Sequence, residues 1–216
     1  MEKIKVLIAC EESQTICKAF RDLGIEAYSC DLKDCSGGHP EWHIKKDVFE
    51  AIVLEKWTLM IAHPPCTFLS TSGNRWMNDK VHYPNRTKDR AEAIEFFMKI
   101  AQSDIPHIAI ENPIGVMSSI WKKPTQIIQP YYFGDSAQKT TCLWLKNLPL
   151  LEKTNIVSPG EFIITKSGKK LPKWYNDALK CKTPEERRTL RSKTFPGIAK
   201  AMAEQWSEYL RRIYEA

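Results

Sequence analysis

Short, uninterrupted apolar runs alternate along this chain with longer stretches whose apolar residues return every three or four positions. Lys5-Val6-Leu7-Ile8-Ala9 is such a run, the pattern of a strand buried on both faces. Thr15 to Leu23 carries Ile16, Ala19, Phe20 and Leu23 at helical spacing and ends at Gly24. Glu26 to Cys30 reads as a second strand ending at Asp31, so the chain opens as a β-α-β unit with a right-handed crossover. Leu59 to Ala62 is a third strand, running directly into Pro64-Pro65-Cys66. The spacing of Ile94, Phe97, Met98 and Ala101 predicts a helix over 90–103, and His107 to Ile110 predicts a strand delivering Glu111 at its carboxyl end. Thr141 to Leu145 predicts a later strand, and Ile198, Met202, Trp206, Tyr209 and Leu210 line one face of a final helix over 196–214. This alternation implies an α/β fold with a doubly wound, mostly parallel sheet, in one domain over residues 1–216. Ligands of such sheets sit beyond the carboxyl ends of the strands, where Glu11, Asp31, Pro64 to Cys66 and Glu111 fall.

Composition narrows the setting. The longest apolar runs are far too short to span a bilayer, so no membrane contact is expected. Met1-Glu2-Lys3 leads straight into a strand, so no targeting peptide is expected, and seven scattered cysteines suit reduced thiols in the cytoplasm. The net charge of +6 is concentrated: residues 151–193 hold eleven Lys/Arg against five Asp/Glu, and the remainder is neutral. A neutral body with one basic segment suits a polyanion, although a lysine-rich stretch also serves solubility alone. Pro159, Gly160, Ser167-Gly168 and Pro172 mark that segment, taken over 150–193 as a small basic insertion, as turns and loops.

Two short stretches carry candidate chemistry: His63-Pro64-Pro65-Cys66-Thr67 and Ile110-Glu111-Asn112-Pro113. Cysteine forms a thiolate readily and is strongly nucleophilic. Paired with a carboxyl group on a later strand, it suits an aromatic ring that needs activation, such as cytosine attacked at C6 while Glu111 hydrogen-bonds N3. That role requires a proton on Glu111, which burial against an apolar strand favours. Taken singly, Cys66 also reads as a small buried residue and Glu111-Asn112-Pro113 as a strand-to-turn junction.

The run Pro64-Pro65-Cys66-Thr67-Phe68-Leu69-Ser70-Thr71-Ser72-Gly73 resembles the nucleophile loop of the DNA cytosine C5-methyltransferases. Arg90 with the following helix and Ile108 to Pro113 resemble that family's next block, which ends in its Glu-Asn pair. The resemblance covers most of 4–145 and 192–206 and implies a Rossmann-like fold binding S-adenosylmethionine. It implies Cys66 as nucleophile, Glu111 on N3, Pro65 and Asn112 setting the backbone, and Lys139 near the cytosine carbonyl or Glu111. It further implies Asp31 on the cofactor ribose, Asp47 near the adenine, Cys10 and Pro64 in the same pocket, and Ser70 and Ser72 against nucleic acid. Residues 192–203, around Thr194-Phe195-Pro196-Gly197, are similar to the family's last block.

Three departures stand out. The family's Phe-x-Gly-x-Gly turn is replaced at Cys10, Glu12 and Gln14, so Glu11 or Glu12 is a candidate for the methionine ammonium. A Gln-x-Arg-x-Arg block is missing, and 129–134 and 139–141 occupy its region. No large recognition domain is present. Lys166, Lys169, Lys170, Arg187, Arg188 and Arg191, interleaved with Trp174 and Tyr175, are left to contact phosphates and bases, with short or relaxed sequence preference expected. So small an enzyme suits a phage or prophage. RNA as substrate, or a non-catalytic nucleic-acid-binding protein on a decayed scaffold, stays open, as does the oligomeric state. Cys30, Cys35, His39 and His43 have zinc-like spacing, but Asp31 within the run favours a core and cofactor reading with no metal.

Overall fold

The computed structural model describes residues 3–166 and 168–215, without the side chains of 184, 185 and 188. Nine strands and seven α-helices follow in the order β1 (Lys5–Ala9), α1 (Thr15–Asp22), β2 (Glu26–Asp31), β3 (His43–Lys45), α2 (Val48–Ile52), β4 (Leu59–Ala62), α3 (Arg86–Ala101), β5 (His107–Pro113), α4 (Met117–Ile120), β6 (Gln126–Ile128), β7 (Thr141–Lys146), β8 (Phe162–Ile164), β9 (Lys170–Pro172), α5 (Lys173–Ala178), α6 (Pro184–Ser192) and α7 (Pro196–Tyr214). The main sheet has the order β3-β2-β1-β4-β5-β7-β6. Strands β3, β2, β1, β4 and β5 pair in parallel, while β7 runs antiparallel to both neighbours. Strand order reverses between β1 and β4, which puts the ligand crevice beyond their carboxyl ends.

Each central strand divides its side chains between two cores. Val6, Ile8 and Ile61 pack under α1 and α7 with Ile16, Phe20, Met202, Trp206 and Leu210. Leu7, Ala9, Met60 and Ala62 face the other layer with Phe97, Ile100, Trp57 and Trp144. This is why the strand runs are continuously apolar rather than alternating. Trp206 is fully buried and donates from its indole to the Pro149 carbonyl at 3.1 Å. Removing a side chain of that size from a core costs about 3–5 kcal/mol.

Several boundaries differ from the sequence expectation. Helix α3 begins at Arg86, four residues early, because the chain turns at Pro84-Asn85 and the helix then takes in the polar stretch Arg86 to Asp89. Strand β5 continues through Glu111 and Asn112 to Pro113, because β7 pairs along its whole length, with Glu111 opposite Leu143 and Pro113 opposite Thr141. Glu111 and Asn112 therefore stand within a paired strand, not past its end. The basic segment is also more ordered than turns and loops: β8 and β9 form a hairpin, and α6 opens with a Thr183–Glu186 capping box.

Candidate active site

The Pro-Pro-Cys loop leaves β4 through His63, whose backbone N–H donates to the Ala9 carbonyl at 2.9 Å. Pro64 is buried, while Pro65 and Cys66 are exposed. Proline at both positions fixes φ and removes two donors, so the backbone reaches Cys66 with little freedom. The Cys66 carbonyl then accepts from Leu69 N at 3.1 Å and Ser70 N at 2.9 Å, turning the loop tightly. Two arginines of α3 hold it from behind: Arg86 donates to the Thr67 carbonyl and Arg90 to the Phe68 carbonyl. Arg90 also donates to the Asn74 side chain at 2.8 Å. Arg86 is almost wholly buried against the Phe68 and Tyr83 rings. Ser70 and Ser72, expected at nucleic acid, bond to each other at 2.9 Å on the exposed side of this loop.

Asn112 ties this loop to β5: its amide donates to the Pro64 carbonyl at 2.7 Å, while its own Oδ1 is buried without a partner among the described residues. Next to it, Glu111 Oε2 lies 3.4 Å from His63 Nδ1. Burial by itself would push the Glu111 carboxyl upward. The His63 hydrogen bond, the charges of Lys139 and His63, and the Thr141 hydroxyl outweigh it and hold Glu111 below the usual carboxylate range. The expectation that burial against an apolar strand raises Glu111 enough to hold or share a proton is thus corrected: His63, Lys139 and Thr141 together outweigh the burial. Cys66 moves the other way. Protein packed around the sulfur and the Glu111 charge raise its thiol, against the opposing pull of Lys139 and Arg191.

Glu111, Lys139 and Arg191 are therefore within electrostatic reach of Cys66, and Lys139 is within reach of Glu111 as well. Lys139 also donates to the Lys193 carbonyl at 3.2 Å, and the Arg191 guanidinium sits 4.6 Å over the Tyr175 ring. A second group gathers at the ends of β1 and β2, where burial, followed by the charges of Asp31 and Asp47, drives the Cys10 thiol well above the free-cysteine range. Asp31 Oδ1 accepts from Lys33 N at 3.0 Å, and Asp47 caps α2 by accepting from Phe49 N at 2.8 Å. Glu11 is buried and accepts from Ile16 N at 2.7 Å and Cys17 N at 3.2 Å, so it caps α1. Glu12 is half-buried, and its carbonyl accepts from Ser36 N. Cys10 and Gln14 adopt the left-handed conformation at φ 61° and 57°.

The other basic residues are not drawn to Cys66 by any described interaction. Lys166 is exposed at the β8–β9 turn, Lys169 closes that turn against Thr165, and Lys170 lies 4.3 Å over the Phe162 ring. Arg187 donates to the Leu179 carbonyl and joins α6 to α5, while the Arg188 side chain lies outside the described residues. Trp174 docks the segment onto the body, donating to the Gln138 carbonyl at 3.0 Å and packing on Phe195. Its indole is thus engaged in packing instead of presented for stacking on a base. The Cys/His run has separate partners: His43 bonds Ser29 and the Lys33 carbonyl, His39 stacks on Trp42, and Cys30 donates to the Lys46 carbonyl. No group of three or more His, Cys, Asp or Glu that could hold a metal occurs among the described residues. Nor is any described helix long and apolar enough to cross a membrane.

No family model and no curated protein matches the chain. Among solved structures it is similar to an E. coli chain described as a DNA modification methyltransferase encoded within a prophage. That similarity is 13% identity and a TM-score of 0.46, over 84% of this chain and 56% of that one. It is also similar to the Entamoeba histolytica methyltransferase EhMeth, at 15% identity and a TM-score of 0.49, over 73% of this chain and 58% of that one. The chain thus spans little more than half the length of either. At these values the two carry nothing about substrate or mechanism, which rest on this chain's own residues.

His63, Arg86 and Arg90 are the site residues whose roles sequence reading did not assign. His63 stood inside the motif, but nothing in the spacing paired it with Glu111. Arg90 reads only as the start of a block resembling the family's, and Arg86 precedes the predicted helix, so neither spacing nor residue type points to the Thr67 and Phe68 carbonyls.

Proposed function

We propose that this protein transfers a methyl group to carbon 5 of cytosine in DNA, with Cys66 as covalent nucleophile. One observation carries the reading: an exposed thiol just past β4 and a largely buried carboxylate within adjacent β5 stand close enough for the carboxylate charge to raise the thiol, and Lys139 acts on both. Their shifts favour S–H beside COO⁻ at rest. Moving that one proton from Cys66 to Glu111 yields thiolate and carboxylic acid, the two forms the reaction uses, with no change in net charge. Lys139 and Arg191 favour the thiolate.

The sulfur then bonds to C6, the C5=C6 pair shifts to form C4=C5, and the C4=N3 pair moves onto N3, which takes the Glu111 proton. Carbon 5 takes the methyl group, N3 returns its proton to Glu111, and loss of the C5 proton to water expels the Cys66 thiolate. Bound S-adenosylmethionine would supply the methyl group as an electrophile, with a neutral thioether as the leaving group. The carboxylates gathered at the ends of β1 and β2 fit such a cofactor: Asp31 suits the ribose hydroxyls, and Cys10, Pro64 and Asp47 the adenosine side. Glu11 is committed to α1, so the ammonium falls to Glu12. Cys10 and Gln14 keep a left-handed backbone where the family has its Phe and its last Gly, which supports a working cofactor loop over a decayed one. The basic residues of 150–193, with Ser70 and Ser72, would meet the DNA backbone.

DNA carrying 5-fluorocytosine cannot lose its C5 substituent as a proton and should trap the wild-type protein as a covalent adduct in the presence of S-adenosylmethionine. Cys66→Ala should form none. Nucleoside mass spectrometry after labelled methyl transfer to DNA and to RNA reads the product. Transfer to RNA alone, or none to either, would overturn the proposal.

A further inference from the structure

Resting on that reading, we infer that His63 is a positioning residue that grips one oxygen of Glu111 so that the other faces the base. His63 is anchored on two sides: its backbone N–H is bound to β1 through the Ala9 carbonyl, and its side chain is only 12% exposed. Nδ1 faces Glu111 Oε2 at 3.4 Å, and Nε2 is buried with no partner among the described residues. A ring nitrogen facing a carboxylate carries its proton there, since two lone pairs would repel. The contact therefore fixes the tautomer as Nδ1–H, with Nε2 left as an acceptor in the neutral ring.

The surroundings explain why such a grip is needed. Glu111 stands in a paired strand within the field of His63, Lys139 and the Thr141 hydroxyl, and its charge reaches Cys66, on which Lys139 and Arg191 act in the opposite sense. Without a donor on Oε2, Lys139 is free to draw the carboxylate away from the ring. Glu11, from the loop after β1, is the other carboxylate in the field of His63. The imidazole therefore stands between the loop beyond β1 and the catalytic carboxylate of β5, one residue before the Pro-Pro-Cys turn.

Two measurements on His63→Leu and His63→Asn test this, the second variant keeping a donor that cannot titrate. Carboxyl carbon NMR follows Glu111 ionisation without any turnover, and trapping on 5-fluorocytosine DNA follows the chemistry. In His63→Leu the Glu111 titration should move to higher pH, and adduct formation should slow by about 10²-fold while DNA and cofactor binding hold. His63→Asn should recover most of that rate. A Glu111 titration unmoved by His63→Leu overturns the inference, as does an unchanged adduct rate. If the titration moves but even wild type forms no adduct, the grip on Glu111 stands and the methyl-transfer reading is the part that falls.

Discussion

Cys10 and Gln14 occupy the same unusual backbone region for different returns. A non-glycine residue in the left-handed region carries strain of about 1–2 kcal/mol. Gln14 offsets it: its fully buried side chain donates to the His39 carbonyl at 2.7 Å and accepts from His39 N at 3.0 Å, pinning the loop after β2 to the start of α1. No hydrogen bond of the Cys10 side chain accompanies its strain among those described. Cys10→Gly should therefore be close to neutral in stability, relief of strain roughly cancelling the greater freedom of the unfolded chain. Gln14→Gly should cost about 2 kcal/mol, since two buried bonds vanish. Urea denaturation of both variants measures the difference, and equal midpoints would refute the assigned role of Gln14. The sequence marked Gln14 as a missing glycine and Cys10 as a replaced Phe, but could not reveal the left-handed backbone at either, because side-chain identity alone does not report φ. Cys66 and Glu111 could be singled out as candidates because their neighbours are chemically distinctive, and the Glu111 charge does reach Cys66. The ionisation of Glu111 was not, since it depends on Lys139 and His63, residues 28 and 48 positions away.

At the scale of elements, the Pro-Pro-Cys loop is held from two directions. Helix α3 grips the Thr67 and Phe68 carbonyls, and the turn after β5 meets the loop as a short bridge between Ser70 and Gly115. Val116 N donates to the Leu69 carbonyl at 2.8 Å across this contact. A Cβ on Gly115 would lie 2.3 Å from that same Leu69 oxygen, a backbone atom that no rotamer change can move. Gly115→Ala should therefore destabilise the protein by about 1–3 kcal/mol and lower hydrogen-exchange protection at Leu69 and Ser70, while β1 amides open only with global unfolding. Protection unchanged at those two amides would show that the contact does not brace the loop. The central parallel strands and α1 and α7 could be read directly because buried strands and amphipathic helices leave periodic patterns. Strands β3 and β6, three residues each, leave none, and the extension of β5 depends on β7, a partner some thirty residues away. Likewise the basic segment read as loop, because its hairpin and short helices are held by Trp174, Phe195 and a cap instead of by an apolar stripe.

Across the whole molecule, buried thiols set a limit on alkaline stability. Burial pushes Cys17 up to about 12 and Cys30 and Cys142 up to about 11, and the three sit in both core layers, Cys17 on α1 in the layer that α7 completes and the others on the opposite face. Below the unfolded thiol pKa of about 8.5, both states hold their protons and these groups cost nothing. As pH rises past that value, the unfolded chain ionises while the folded one does not. Stability then falls by about 1.4 kcal/mol per pH unit per thiol until each folded pKa is reached. Glu111, held low, behaves in the opposite sense: its contribution is present at neutral pH and is lost as pH falls through the carboxylate range. The urea midpoint should therefore be flat between pH 7 and about 8, then drop steeply towards pH 10. A Cys17→Ala/Cys142→Ala variant begins less stable, since two core side chains are truncated, yet its midpoint should decline with a visibly shallower slope over the alkaline window. Parallel slopes for the variant and the wild type would mean that other titrating groups, not these thiols, govern the alkaline limit.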